Sequence, residues 1–126
     1  DFVANKLPED KPRYLMGVGL PKNMKSAICS GIDMFDCVAP TRLARHGSVF
    51  SEEGHLCLKN ARFKEDPRPI EASCDCLCCR SYSRAYLRHL LVAKEPLAIT
   101  LLSIHNIKFM HDVISKIKKD ILEDRL

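Results

Sequence analysis

The densest feature of this sequence is a group of four cysteines within six residues. Cys74, Cys76, Cys78 and Cys79 lie in the run Ser-Cys-Asp-Cys-Leu-Cys-Cys-Arg. Cysteines this close together rarely reach the Cα separations that disulfides need. Thiolates are preferred zinc ligands, and a structural zinc site takes four sulfur or nitrogen ligands in a tetrahedron. The cluster therefore predicts a metal site that holds the fold around it.

The spacing Cys74-x-Cys76-x-x-Cys79 supplies three ligands and leaves Cys78 spare. A histidine would complete a Cys3His set, which is usual for closed structural zinc sites. His105 lies in a later helical region that could fold back onto the cluster, and His89 lies on a helix that leaves it. The spacing alone does not decide between the two histidines.

The remaining cysteines and the overall composition favour an intracellular protein. The chain has 126 residues, enough for one modest domain, and seven cysteines, an uneven number for a disulfide scaffold. We therefore expect free thiols in a reducing compartment, a cytoplasmic location and no membrane partner. The sequence starts without methionine or a signal peptide, so we expect a piece of a longer protein. The net charge of +4 is a mild indication of an anionic partner.

The first third of the chain has the pattern of a strand–helix–strand unit. Short apolar runs at residues 13–19 and 32–39 flank a helical segment that starts near Pro21 and ends at Gly31. Parallel pairing of the two strands is expected from this order. A two-stranded parallel sheet is not a stable domain, so the unit predicts the closing end of a larger α/β barrel.

The later segments predict a hairpin and two helical stretches. Residues 47–60 show two short strand patterns around the Ser51–Gly54 turn. Apolar residues at helical spacing follow from Ser81 to about Ala93 and again from Pro96 onward.

Two further groups of residues are candidates for chemistry. Asp36 lies near the C-terminal end of an apolar strand, where α/β barrels keep catalytic groups; Asp33 is the competing carboxylate. A turn cap or a surface ion pair is the ordinary alternative for Asp36. Arg42 and Arg45 are three residues apart and would share a helical face, and arginine side chains suit phosphate oxygens. A solvated surface loop is the ordinary alternative for this basic segment.

Several long segments, in order and in register, resemble tRNA-guanine transglycosylases of the bacterial, queuosine type. The likeness runs from about Lys11 to the end of the chain. It is carried by Gly31-Ile-Asp-Met-Phe-Asp36-Cys-Val-x-Pro40-Thr-Arg42-x-x-Arg45, Lys59-Asn-Ala-Arg-Phe63, the spaced cysteines, Tyr82-Ser-Arg-Ala-Tyr-Leu-x-His89-Leu90 and His105-Asn106.

The resemblance implies an α/β fold that is the C-terminal part of a (β/α)8 barrel, with an inserted zinc-binding subdomain and C-terminal helices. Residues 1–46 would hold the last two strands and the nucleophile segment. Residues 47–126 would form the zinc subdomain and the helices. One structural Zn²⁺ per chain is implied, and the ligands carried over from the family are Cys74, Cys76, Cys79 and His105.

The resemblance also implies the reaction and its residues. Asp36 would be the nucleophile in the exchange of the wobble guanine of a tRNA for a 7-deazaguanine. Tyr14, Met16 and Gly17 match base-pocket positions, and Arg42 and Arg45 match positions near the anticodon-loop backbone. A homodimer is implied, with an aromatic patch of Tyr82, Tyr86 and His89 at its interface.

The family's general acid/base and its base-edge residues lie in earlier strands, so we expect the isolated 126-residue chain to be inactive. A non-catalytic, zinc-stabilised tRNA-binding or dimerisation module is the alternative function. A zinc hydrolase is disfavoured because a site with four protein ligands has no open position for water.

Overall fold

The computed structural model describes residues 3–125 as a mixed α/β chain with four strands and five α-helices. The strands are β1 Tyr14–Leu15, β2 Met34–Phe35, β3 Ser48–Ser51 and β4 Gly54–Cys57. The helices are α1 Pro21–Cys29, α2 Ala39–Arg45, α3 Leu77–Ser81, α4 Arg84–Val92 and α5 Pro96–Leu122. Short 3₁₀ turns occupy Ala4–Lys6 and Ala61–Phe63. None of the helices within residues 3–125 combines the length and hydropathy needed to span a membrane.

The described chain divides into two compact units. The first comprises residues 1–39 and 113–126, and the second comprises residues 40–112. Helix α5 contributes its C-terminal part to the first unit and the rest to the second. These boundaries differ from the predicted parts 1–46 and 47–126, whose assignment to a barrel end and an inserted subdomain stays a prediction.

In the first unit, the predicted strand–helix–strand order is confirmed. β1 and β2 pair in parallel, with Tyr14 opposite Met34 and Leu15 opposite Phe35. Helix α1 begins at Pro21, whose ring suits the first helical position because it needs no amide donor there. Both strands are only two residues long, shorter than the apolar runs that predicted them.

A close backbone approach joins the two strand ends of this unit. A Cβ built at Gly19 would lie 2.2 Å from the Cβ of Cys37, so only glycine fits beside that side chain. Gly17 has a φ of +72°, a left-handed conformation that L side chains rarely adopt. These two glycines shape the loop that follows β1.

In the second unit, the predicted hairpin is confirmed, and the basic segment before it is a helix, which agrees with the expected shared helical face and not with the alternative of a loop. β3 and β4 pair antiparallel, from Ser48 opposite Cys57 to Ser51 opposite Gly54. Residues 39–45 form α2, with Pro40 in its first turn, where a missing amide hydrogen costs nothing. Proline is well tolerated at a helix start.

The second unit has one hydrophobic core, built from the hairpin, the cysteine segment, α4 and the first half of α5. Its members are Ala44, Val49, Leu56, Leu58, Phe63, Ile70, Cys76, Cys78, Cys79, Leu87, Leu90, Leu91, Ala98, Leu101 and Leu102. The metal-ligand candidates thus lie in the wall of a packed core. Packing against this core limits the positions that their side chains can take.

Candidate functional site

The cysteine cluster and one histidine of α5 converge on a single point in the second unit. The ligand atoms of Cys74, Cys76, Cys79 and His105 all lie within 4.8 Å of one another. The His105 Nδ1 atom is 3.8 Å from the Sγ atoms of Cys74 and Cys76 and 3.2 Å from that of Cys79. A tetrahedral zinc with ordinary bond lengths places its sulfur and nitrogen ligands about 3.5 Å apart. The four atoms therefore fit a zinc-sized ion.

The turn that joins Cys76 to Cys79 is built by Cys76 and the helix that follows it. Cys76 is the N-cap of α3, and its Sγ accepts a hydrogen bond from the backbone N–H of Cys79 at 3.4 Å. This turn places Cys76 and Cys79 side by side, because the cap closes over the first helical turn. Such a geometry is fixed by local spacing, which explains why the sequence predicted it.

His105 is held in the tautomer that metal binding requires. Its ring is fully buried, and Nε2 donates a hydrogen bond to the backbone carbonyl of Phe50 at 2.8 Å. Nδ1 therefore keeps its lone pair toward the sulfurs. Burial also holds the pKa of His105 below its ordinary value, which favours the neutral ring that a metal needs.

The pKa values of the cysteine thiols indicate that a bound cation would be needed to keep them ionised. Burial raises the pKa of Cys74 and of Cys79, so without a positive charge these thiols stay protonated. A bound metal ion reverses this balance because it stabilises the thiolates. Three soft thiolates and one imidazole are the donor set that suits zinc.

Cys78 and His89, the other two residues considered as metal ligands, lie outside the cluster. Cys78 is fully buried in the apolar core, and burial raises the pKa of its thiol to about 12. His89 belongs to a row of three rings: it stacks on Tyr86, also of α4, with centroids 6.4 Å apart, and Tyr86 stacks at 5.4 Å on Tyr82, which lies just before this helix. Spacing left His89 and His105 open as the fourth ligand. In the structure, His105 is the histidine that lies beside the cysteines.

In the first unit, Asp36 lies just beyond the C-terminal end of β2 and receives two hydrogen bonds. The Tyr14 hydroxyl donates to its Oδ1 at 2.7 Å, and the backbone N–H of Gly17 donates to the same oxygen at 3.0 Å. The Tyr14 hydroxyl, and then the Gly17 amide, hold the pKa of Asp36 below its ordinary value. The exposed carboxylate is therefore oriented and ionised at neutral pH.

Asp33 has a different task at the other end of the same strand. Its Oδ2 accepts a hydrogen bond from the backbone N–H of Arg13 at 2.8 Å, and its own N–H donates to the Arg13 carbonyl at 2.9 Å. Asp33 therefore closes the entry to the two strands, while Asp36 lies at their exit. The exit is where parallel strands present groups for chemistry.

The other candidates differ in what surrounds them. Tyr14 and Gly17 contact Asp36, as described, whereas the Met16 side chain is 76% exposed beside them in sequence. Arg42 and Arg45 are exposed on α2, three residues apart and so on one face of the helix. All seven cysteines are free thiols.

Two structural contacts were missed by the sequence analysis. Arg84 is 7% exposed, and its guanidinium donates to the carbonyls of Pro69 and Ile70 and to Asp66, which joins α4 to the loop before the cysteines. Lys108, one turn after His105, forms a 2.8 Å ion pair with Asp75, between the first two ligand cysteines. In the sequence, the signal for these contacts is a charged residue among apolar neighbours. This signal does not identify the partner, because each partner is distant in sequence.

Comparison with known proteins identifies the family. A family model described as queuine tRNA-ribosyltransferase matches residues 1–126. A queuine tRNA-ribosyltransferase of Fusobacterium nucleatum is 51% identical over 125 residues, covering 99% of this chain and 34% of the relative. One from Streptococcus pyogenes serotype M5 is 50% identical over 126 residues, covering 100% of this chain and 33% of the relative. The chain thus spans about a third of the length of these curated relatives. It belongs to the queuine tRNA-ribosyltransferase family.

Proposed function

We propose that this chain is the C-terminal part of a tRNA-guanine transglycosylase, and that Asp36 is its nucleophile. The observation that carries the proposal is the strand-end carboxylate with Tyr14 and Gly17 donating to one of its oxygens. The family membership supports the same assignment. In this proposal the strands belong to the end of a (β/α)8 barrel whose earlier strands complete the active site.

The proposed reaction is a double displacement at the ribose of a wobble guanosine. A carboxylate oxygen of Asp36 bonds to the anomeric carbon as the bond from that carbon to guanine breaks. A 7-deazaguanine then attacks the same carbon and releases Asp36. A carboxylate suits both steps because it balances the positive charge that develops on the sugar. The lowered pKa of Asp36 favours the charged form that this role requires.

The base would lie against the residues that follow β1. Met16 is exposed and apolar, and it directly precedes Gly17, whose amide orients Asp36. An exposed methionine can cover the face of a purine through its polarisable thioether. We propose that Tyr14, Met16 and Gly17 line the base pocket, which also requires residues from outside this chain.

The metal centre would be structural. The three cysteines and His105 fit a single Zn²⁺ with four protein ligands, and such a closed set leaves no position for water or substrate. When bound, zinc would cross-link the cysteine segment to α5. This chain's own contribution is the packed core and the Phe50 carbonyl, which orient the ligands.

Arg42 and Arg45 are the proposed tRNA contacts. Both are exposed on the same side of α2, the helix that begins three residues after Asp36 in sequence. Guanidinium groups pair well with backbone phosphates and position a nucleic acid without reading its sequence.

The stacked row of Tyr82, Tyr86 and His89, partly exposed on the metal-bearing unit, is the proposed homodimer contact. A cytoplasmic location in queuosine biosynthesis completes the proposal.

The test is the covalent adduct between tRNA and the full-length protein. Asp36→Asn removes the nucleophile, so we expect no adduct on a denaturing gel and at least a thousand-fold slower base exchange, roughly what nucleophile removal costs other enzymes. Asp33→Asn is the matched control, since it changes a carboxylate of the same segment, and it should leave the adduct intact. Adduct formation by the Asp36→Asn protein would show that the nucleophile is a different residue.

The same assay decides between the enzyme and the non-catalytic module. A module would bind tRNA through its basic helix but would form no adduct and incorporate no labelled guanine, even in the unaltered full-length protein. The isolated 126-residue chain should behave in this way, because the acid that protonates the leaving base is expected in the earlier strands. Incorporation of guanine by the isolated chain would contradict this assignment.

A further inference from the structure

The outer edge of β3 is covered by two side chains of α5 and not by a third strand. In the hairpin, Ser48 and Phe50 direct their backbone groups away from β4. The Phe50 N–H donates to the Asn106 Oδ1 at 3.0 Å, the Phe50 carbonyl accepts from His105, and the Ser48 carbonyl accepts from the Asn106 Nδ2 at 3.1 Å. Edge strands leave such groups unpaired unless another element covers them. His105 and Asn106 therefore take the place of a neighbouring strand.

Asn106 makes a third bond that has nothing to do with the hairpin edge. Its Nδ2 also donates to the Pro40 carbonyl at 2.9 Å, and its side chain is fully buried. Both amide hydrogens and the amide oxygen are thus used, which is nearly all an asparagine can offer. Burying an amide is costly unless its bonds are made, so this one is a specific connector and not a filler of apolar space.

The two carbonyls held by the Asn106 amide mark the two ends of one segment. Pro40 is in the first turn of α2, and Ser48 is the first residue of β3. Between them lie Arg42 and Arg45, both exposed. Within α2, Pro40 and Ala44 are the buried residues. One NH₂ group therefore fixes the start and the finish of the basic segment.

We propose that Asn106 is a positioning residue for tRNA binding, acting through residues 40–48. It ties the segment that carries Arg42 and Arg45 to the metal-ligand helix, one residue after His105. A segment held in its binding geometry loses less conformational entropy when the ligand arrives, and this raises affinity without any new contact. The inference rests on the proposed function only for the identity of the ligand.

The decisive variant is Asn106→Asp in the full-length, zinc-loaded protein. An aspartate keeps an acceptor for the Phe50 N–H but offers at most one hydrogen, and only when protonated, so it cannot donate to both the Pro40 and the Ser48 carbonyls. We expect zinc content to stay at one per chain and amide hydrogen exchange in residues 40–48 to become about ten-fold faster. We expect the KM for tRNA to rise about ten-fold, as the loss of a buried donor predicts, with kcat changed by less than about three-fold.

Leu102→Ala is the matched control, because Leu102 is a fully buried residue of the same helix that packs in the core. It should lower the melting temperature while leaving the KM for tRNA and the exchange of residues 40–48 near wild type. Equal effects of both variants on KM would overturn the proposal, because general destabilisation would then explain them. If Asn106→Asp does not fold, Asn106→Ala is compared with Leu102→Ala instead. The alanine leaves room for a water molecule and introduces no buried charge.

The outcomes separate this inference from the proposed function. Unchanged exchange in residues 40–48 of a folded Asn106 variant overturns the inference, whatever the protein does with tRNA. Faster exchange with unchanged KM also overturns it, because the segment would then move without consequence for tRNA. If the unaltered full-length protein neither binds tRNA nor exchanges its base, the proposed function fails instead, and the positioning role for tRNA fails with it.

Discussion

The two units of this chain place their candidate chemistry in opposite surroundings. In the unit of residues 40–112, the metal ligands line a continuous core, and His105 is fully buried. In the unit of residues 1–39 and 113–126, Asp36 is exposed, the two strands are two residues long, and the buried apolar residues among those described are Ala4, Met24, Ile32 and Ile117. One site is held by packing and the other by two hydrogen bonds.

The contrast teaches that stability and reactivity are supplied by different parts of the molecule. A buried Cys3His set can bind a metal tightly because its ligands are dry and already oriented, and a closed set does no chemistry. In the proposed reaction the Asp36 carboxylate has to reach a ribose and must therefore be exposed, so it needs orienting donors rather than packing. Apolar residues beside it, such as Met16 and Met34, remain 76% and 50% exposed in this chain. A groove of about 680 Å³ runs between α1 and β1 in the same unit.

The largest expected effect tests the packed site. Cys76→Ala removes a ligand, so we expect loss of the bound metal and unfolding of the unit of residues 40–112. The loss includes most of the metal-binding free energy, which for structural zinc is on the order of 10 kcal/mol. Cys78→Ala removes an equally buried thiol that is not a ligand, and it should retain one zinc at a cost of about 1 kcal/mol. Zinc stoichiometry and thermal unfolding of the full-length protein distinguish them.

If the Cys76→Ala protein still held one zinc with unchanged affinity, Cys78 would be serving as a ligand. The site would then be adaptable, and the distinction between a rigid metal unit and a loosely held carboxylate unit would weaken. The apolar surroundings of Cys78, which raise the pKa of its thiol to about 12, argue for the other outcome.

A second, smaller effect concerns the loop before the cysteines. Arg84→Met would leave Asp66 buried without its deeper partner and the Pro69 and Ile70 carbonyls without a donor. Removing one member of a buried ion pair costs about 3–5 kcal/mol, whereas Arg68→Met, at a 67% exposed side chain, should cost at most about 1 kcal/mol. Urea unfolding of both variants measures the two losses of unfolding free energy. Equal losses would show that burial does not determine how much each arginine contributes to stability.

The same carboxylate gives a pH dependence with a defined sign. The hydrogen bond from Arg68, and then the nearby Arg84 charge, hold the pKa of Asp66 well below its ordinary value. A lowered folded-state pKa adds stability that is fully present above the unfolded-state pKa. It is lost as the pH falls through the lower folded-state value. The acid-induced loss of stability below about pH 4 should therefore be less steep in Arg68→Met, which removes the largest of these causes, than in the unaltered protein.

The smallest expected effect is at the carboxylate site. Tyr14→Phe removes the largest of the causes that lower the pKa of Asp36. The pKa of Asp36 should rise, and the acidic limb of the kcat/KM profile should move to higher pH. Because both side chains are exposed, the free energy of unfolding should change by less than about 0.5 kcal/mol. Asp33→Asn is the control whose profile keeps its position; a shift there and none in Tyr14→Phe would contradict the assignment.

The parts that the sequence predicted correctly are those set by neighbours along the chain. The parallel pairing of β1 and β2, the start of α1 at Pro21 and the β3–β4 hairpin all follow from short-range patterns. The helix α2 was expected as a loop or a single helical turn. Its Pro40 lies in the first helical turn, where proline is compatible with a helix.

The sequence by itself determined that three closely spaced cysteines would face one point, because the turn between Cys74 and Cys79 has few ways to close. It also carried enough long motifs to identify the family. The spacing left His89 and His105 open, the family resemblance implied His105, and the tertiary structure places His105 beside the cysteines. Only the tertiary structure decided that Tyr14 and Gly17 orient Asp36 and that Asn106 links Pro40 to Ser48. These contacts join residues from 19 to 66 positions apart. Such partners are selected by the packing of whole elements and not by local backbone geometry.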